Sequence, residues 1–263
     1  MQPDYWHKQT ADKPLYPEML WSRPENRQYA GKLLVVGGHA QSFAAPAQIF
    51  SEASKAGPGT IRVLLPDALQ KVVGPVLENG EFAASTPSGS FGTRALGEFL
   101  DISSWSDGVL LAGDLGRNSE TAILLEKFAT KYIGQLTATK DAVDYFTTTP
   151  RPILQRPNTC LVLSFAQLQA LGKAVHYPRA FTFDMDLLRL VSLLHEFTLA
   201  YPLSIVVKHL SQMLVASGGE VSSTKLDNDM PIWRCHVAAH TSVWWMQNPS
   251  KTFRALTTAI TQI

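Results

Sequence analysis

Short runs of apolar and β-branched residues recur along the chain, each followed by a stretch with helical spacing. Leu33–Val36, Thr60–Leu65, Gly108–Ala112, Thr159–Leu163 and Ser204–Lys208 read as strands. Runs this apolar, without alternation, mark strands covered on both faces of a parallel sheet. Ala47–Ala56 reads as a helix, with Pro46 suited to its first turn and Gly57 to the position just past its end. Ser119 suits the N-cap of a helix over Glu120–Lys131. A short helix is expected over Phe165–Leu171. A longer one over Asp184–Tyr201 carries Leu187, Leu190, Val191, Leu194 and Phe197 at helical spacing. Met213–Ala216 begins a hairpin over Gly218-Gly219, and helices around Val237–Met246 and Pro249–Ile260 close the chain. Thr147–Asn158, with Pro150, Pro152 and Pro157, reads as a loop. Residues 1–30 are expected to form an irregular arm with a short helix near Pro17–Trp21, ahead of a single domain over 31–263. Alternating strands and helices predict a three-layer α/β/α sandwich around a mostly parallel sheet, with right-handed crossovers.

Composition narrows the function. Apolar residues make up 45% of the chain and charged ones 17%, enough to build a large core. The formal net charge is +1, so no field steers the chain toward nucleic acid or an anionic membrane. No apolar stretch reaches about 18 residues, so no membrane-spanning helix is expected. The opening MQPDYWHKQT has no apolar core of a secretory signal. A cytoplasmic setting follows, with Cys160 and Cys235 as reduced buried thiols. Trp233, Trp244 and Trp245 read as core or as a subunit interface, which leaves a homo-oligomer open.

Two loops carry candidate chemistry. Ligands of open parallel sheets bind outside the carboxyl ends of strands. Gly37-Gly38 turns the chain off one strand toward a helix that opens at Ala45-Pro46, and free N–H groups there suit an anion. Gly113-Asp114-Leu115-Gly116 does the same after a second strand. Each pattern also fits an ordinary turn. Lys208 at a strand end suits phosphate, although a lone lysine there is commonly only solvated. His195-Glu196 lacks a second histidine four residues on, which excludes a zinc-protease site. His236 and His240 have metal-ligand spacing, with Cys235 as the remaining donor, but a helix core explains them as well, and no metal is assigned to them.

Taken in order, these pieces resemble the ADP- or ATP-dependent NAD(P)H-hydrate dehydratases. The resemblance runs from Arg23-Pro24-Glu25-Asn26 through Gly31–Gly38 and Ala45-Pro46. Leu115-Gly116-Arg117 is similar to the family's G-P-G-L-G-R turn, Thr139–Val143 to its D-A-D-A-L, and Val206–His209 to its V-L-K-G loop. The resemblance implies a ribokinase-like fold and a nucleotide or dinucleotide ligand, with ADP or ATP and Mg²⁺ as cofactors. It also implies phosphorylation of a hydroxyl on hydrated NADH or NADPH, followed by elimination. Gly38, Ala45, Asp114, Gly116 and Ser164 would face the substrate. Lys208, His209, Leu210, Ser211, Gln212 and Thr241 would face the nucleotide.

The departures fall on the catalytic motifs. Ala239-His240-Thr241-Ser242 is expected where the family has G-T-G-D, so Ser242 stands for the base and Thr241 for a glycine of the anion hole. Ser164 and Gln167 replace the histidine and glutamate of the family's substrate loop, and Asp114 replaces a glycine beside the phosphate path. Two readings follow. One is an active enzyme with Asp141, Asp114 or His240 as a replacement base. The other is a non-catalytic relative that binds a nucleotide or a protein partner.

Overall fold

The computed structural model describes residues 3–77, 80–226 and 232–263. Its strands are β1 (Trp6–Gln9), β2 (Lys32–Gly37), β3 (Thr60–Pro66), β4 (Gly80–Ala83), β5 (Gly108–Gly113), β6 (Gln135–Thr139), β7 (Thr159–Leu163), β8 (Ser204–His209), β9 (Gln212–Ser217) and β10 (Glu220–Lys225). They form one sheet in the order β1-β10-β9-β8-β7-β6-β5-β2-β3-β4. Only β9 runs against the others among the described strands, as the return arm of the hairpin from β8 and into β10.

The helices are α1 (Glu18–Trp21), α2 (Ala44–Ala56), α3 (Gln70–Val73), α4 (Leu96–Trp105), α5 (Ser119–Lys131), α6 (Asp141–Thr148), α7 (Arg151–Leu154), α8 (Phe165–Ala174), α9 (Leu187–Ala200), α10 (Trp233–Gln247) and α11 (Thr252–Ile260). They cover both faces of the sheet. Alternate residues of each strand explain the division: Leu34 and Val36 of β2 face one way with Phe99, Phe128 and Phe197. Leu33 and Val35 face the other way with Ile49, Trp244 and Leu256. A strand buried on both faces must be apolar at successive positions, and the five expected strands are. The fold is therefore the expected α/β/α sandwich with a mostly parallel sheet. Cys160 and Cys235 are both buried and unpaired. No described helix is long and apolar enough to cross a membrane.

Three strands escape the hydrophobic pattern. β6 reads Gln-Leu-Thr-Ala-Thr, yet every residue of it is buried. Two of its polar side chains find partners inside: the Thr139 hydroxyl donates to the Val162 carbonyl at 2.9 Å, and Gln135 Nε2 donates to the Ser242 carbonyl at 2.9 Å, while the Thr137 hydroxyl is buried without one. β4 sits at one edge of the sheet. β1 lies within the expected arm and adds a parallel strand to β10. Trp6 Nε1 donates to Ser223 Oγ at 2.9 Å, and Gln9 Nε2 reaches Thr224 and the Thr257 carbonyl. The proline-rich stretch before β7 is not wholly a loop, because α7 starts at Arg151 with Pro152 in its first turn, where a missing N–H is harmless.

Candidate functional site

The strand order reverses at β2. The chain runs from β2 outward to β3 and β4, then returns to the other side of β2 as β5. The helices that follow β2 and β5 pack on opposite faces of the sheet, so the carboxyl ends of these strands lie at the crevice position where open parallel sheets bind ligands. Gly38 N–H donates to the Gly113 carbonyl at 3.0 Å and pins the two loops together. The approach leaves no room for a side chain: a Cβ on Gly37 would lie 2.5 Å from the Gly113 oxygen.

Asp114 is the centre of this crevice. Its Oδ2 accepts from the Ala45 main-chain N–H at 2.7 Å and from the Ser42 hydroxyl at 2.8 Å, while Oδ1 meets Lys140 Nζ at 3.1 Å. Burial alone would push its pKa up, but the Ala45, Ser42 and Lys140 donors outweigh it and hold the carboxyl below its usual range. His39 reaches the Asp114 carbonyl at 2.9 Å. Gly116 follows, and its carbonyl accepts from the Tyr145 hydroxyl at 2.6 Å.

A second carboxylate lies beside the first. Asp141 opens α6, and its Oδ2 accepts from the Leu115 N–H at 2.8 Å. Its Oδ1 is buried with no partner, and burial pushes its pKa up. A Cβ on Gly113 would meet that oxygen at 2.6 Å, and φ of +97° there also favours glycine. Two residues of this cluster hold positive φ without being glycine, Asp114 at +56° and Lys140 at +54°. They are ion-paired to each other, so the strained turns are tied across the crevice.

The contacts continue toward β7. Ser164 caps α8, and Gln167 completes a reciprocal capping box with it. Gln167 Nε2 donates to the Lys140 carbonyl and to Asp144 Oδ1, both at 2.7 Å. Its Oε1 accepts from Arg234 Nη1 at 3.2 Å. Arg234 lies in the first turn of α10, which brings that helix's amino end to this edge. Gly38, Ala45, Asp114, Gly116 and Ser164 all lie at the carboxyl edge of the sheet.

Ser242 and Thr241 are not there. Both lie fully buried in the second half of α10. The Ser242 carbonyl accepts from Gln135, the first residue of β6, at the amino edge of the sheet. The Thr241 hydroxyl bonds back to the Val237 carbonyl of its own helix at 2.6 Å. The matching of residues 239–242 to the family's G-T-G-D is therefore corrected. The helix end that faces the crevice is Ile232-Trp233-Arg234-Cys235. α10 is buried on nearly all sides, so no polar face marks where it begins, and a helix expected near Val237 begins at Trp233 instead. His240, a candidate base, is also out of reach. It sits in the seam between α2 and α10 near Glu52 and His236, and only 8% of it is exposed.

The expected nucleotide loop divides. Lys208 lies in register with Met213 and shares the sheet face that carries α2 and α10. His209 points to the opposite face, where its Nε2 meets the Met185 carbonyl at 3.2 Å and its ring lies 4.9 Å from that of Phe165. Leu210 turns the hairpin with φ of +52° and a side chain 75% exposed. The Ser211 carbonyl accepts the Leu226 N–H at 2.9 Å, and Gln212 opens β9. No group of three metal-ligating side chains occurs among the described residues, so His236, His240 and Cys235 make no metal site. Ser42, Lys140 and Arg234 are crevice residues that the hydrophobic pattern does not reveal. Lys140 follows a strand that the pattern hides, and Arg234 precedes the expected helix start.

Neither family models nor curated proteins match this chain. Solved structures do. A ribokinase-like superfamily protein from Enterococcus faecalis superposes with a TM-score of 0.75 at 14% identity, over 99% of this chain and 86% of that one. An ADP/ATP-dependent NAD(P)H-hydrate dehydratase from Bacillus subtilis, co-crystallized with ATP/Mg²⁺ and soaked with CoA, is similar with a TM-score of 0.60 at 11% identity, over 94% and 86%. The pyridoxal kinase from Staphylococcus aureus, in complex with AMP-PCP and pyridoxal, gives 0.55 at 10% identity over 87% and 84%. The chain has the ribokinase-like fold, and NAD(P)H-hydrate dehydratases are among its structural neighbours.

Proposed function

We propose that the chain binds a nucleotide, ADP or ATP, with its phosphates in the crevice over β2 and β5, where the resemblance alone would place the substrate, and that it does so without dehydrating hydrated NADH or NADPH. The observation that carries this reading is the commitment of Asp114. Its carboxylate is ionised and bonded to three donors, so it is not free to accept a proton from a substrate hydroxyl. Asp141 has the proton affinity that suits a base, because burial raises it, and this favours the rival reading of a diverged lyase. Its reach does not suit proton abstraction, because Oδ2 is taken by Leu115 N–H and Oδ1 is closed off from solvent.

Support for a nucleotide comes from the fold, from the ligands of two neighbours, ATP/Mg²⁺ and AMP-PCP, and from Lys140, Lys208 and Arg234 on one edge. The described residues do not fit a resident divalent cation. Asp114 already holds an ammonium, and no third ligand joins the two aspartates. Any Mg²⁺ would enter with the phosphates it coordinates.

A thermal-shift panel of ADP, ATP, AMP, NADH and NADPH tests the binding, since a ligand of the folded state raises its apparent stability by mass action. ADP or ATP is expected to give the largest rise. Turnover of hydrated NADH should fall at least about 10²-fold below that of an intact dehydratase, the low end of what a general base contributes. Comparable turnover, or no shift with either nucleotide, would sink the proposal.

A further inference from the structure

We infer that Asp114 is a charge gate: its carboxylate occupies the donors that an anionic ligand oxygen would need, and so sets the crevice against phosphates that arrive without a cation. This rests on the nucleotide reading above and specifies which form of the ligand enters. The donors come from three separate elements. A main-chain N–H from α2, a hydroxyl from the turn before it and an ammonium after β6 converge on one side chain, 15% exposed. Main-chain N–H groups, hydroxyls and lysines are the groups with which proteins hold phosphate oxygens. Here the chain supplies its own anion to them.

The backbone is bent to deliver that anion. Asp114 and Lys140 both hold positive φ, a region that residues other than glycine seldom enter. Their ion pair, with the Leu115 N–H to Asp141 bond, ties the two turns together. An incoming phosphate without a cation must displace the carboxylate or lie beside it, and two like charges a few ångströms apart repel by enough to change affinity about tenfold or more. A cation bound to the phosphates removes most of that repulsion. A neutral nucleoside does not meet it.

The test is calorimetric titration of the full chain with Mg²⁺-free ADP, Mg²⁺-loaded ADP and adenosine. The chains compared are wild type, Asp114→Asn, Asp114→Gly and the double variant Asp114→Asn with Lys140→Met. Asparagine keeps the shape and tolerates positive φ, and glycine suits that backbone outright, so one of the two single variants stays folded. Removing the charge is expected to tighten Mg²⁺-free ADP about tenfold or more, and Mg²⁺-loaded ADP far less. Adenosine should change by less than about twofold, because it carries no charge to repel. The gain should vanish when Lys140 is also lost. Folded single variants that bind Mg²⁺-free ADP no more tightly than wild type overturn the inference. If ADP binds all chains alike, only the charge gate falls. If no chain binds ADP or adenosine, the nucleotide reading falls with it.

Discussion

Helix α2 touches two clusters of buried ionisable groups, and they are built on opposite principles. At its amino end, Asp114 is charged because every desolvated oxygen has a donor. Along its flank, Glu52 faces His236 and His240 of α10. Glu52 is held ionised: burial pushes it up, but the 2.7 Å bond from Lys55 and the neighbouring histidines outweigh that. His240 lacks such help. Its Nδ1 is buried without a partner, and burial drives the imidazole down to about 4. Depth alone does not decide ionisation. The count of donors and acceptors that reach the group does.

The largest expected effect breaks that comparison at the seam. The folded pKa of His240 lies below its ordinary value of 6.5, so the unfolded chain takes up the proton first as pH falls. Stability contributed by the neutral imidazole is then present above about pH 6.5 and is lost progressively down to about pH 4, by about 3 kcal/mol in all. Glu52 on α2 opposes this, while His236, Lys55 and Arg23 reinforce it. Urea unfolding of wild type and His240→Leu at pH 7.5 and 4.5 measures it. The variant should lose much less stability between the two values. Equal losses would mean that the histidine stays hydrated.

The next effect is at the crevice. Asp114→Ala removes three hydrogen bonds to a charged group and leaves Lys140 half-buried without its partner. A loss of about 2–3 kcal/mol is expected. Asp114→Asn keeps an acceptor for the Ala45 N–H and should lose about 1 kcal/mol. Chemical denaturation at pH 7 separates the two. The sign with pH is the same as for His240 but the window is lower: a depressed carboxylate stabilises above its unfolded pKa and fails as pH falls below about 4, so the difference between Asp114→Asn and wild type should shrink only there.

These two clusters differ also in how they could be read beforehand. Gly37-Gly38 and Gly113 to Gly116 each fit an ordinary turn, but together, at the ends of two plainly apolar strands, they point to the crevice. Asp141 is visible as a candidate base. Lys140 and Ser42 are not, because polar β6 hides the strand before Lys140 and Ser42 lies in a turn without periodicity. The catalytic match at residues 239–242 fails for a different reason. A helix buried all round carries apolar letters in every register, so its start can slide by a full turn without disturbing the pattern. The α2–α10 seam depends on that same helix, so its histidines could be named but not placed.

The smallest effect sharpens the comparison through backbone strain. Leu210 has φ of +52°, close to the +56° of Asp114, but its side chain is 75% exposed and it lies in a hairpin turn. A left-handed conformation disfavours a non-glycine residue by about 1–2 kcal/mol. Asp114 offsets that strain with its three donors. Leu210 has no buried side chain to offset it, and glycine at that position would remove the strain. Glycine also gives the unfolded chain more freedom, which takes back about 0.5–1 kcal/mol. Leu210→Gly is therefore expected to stabilise by about 0.5 kcal/mol, read as a small rise in the urea midpoint. Asp114→Gly, at almost the same φ, should lower the midpoint instead, because it loses more in donors than it gains in backbone ease. If Asp114→Gly raised the midpoint as Leu210→Gly does, strain rather than the carboxylate's bonds would be governing the crevice turn. The charged contact would then be a passenger on a backbone shaped by other contacts.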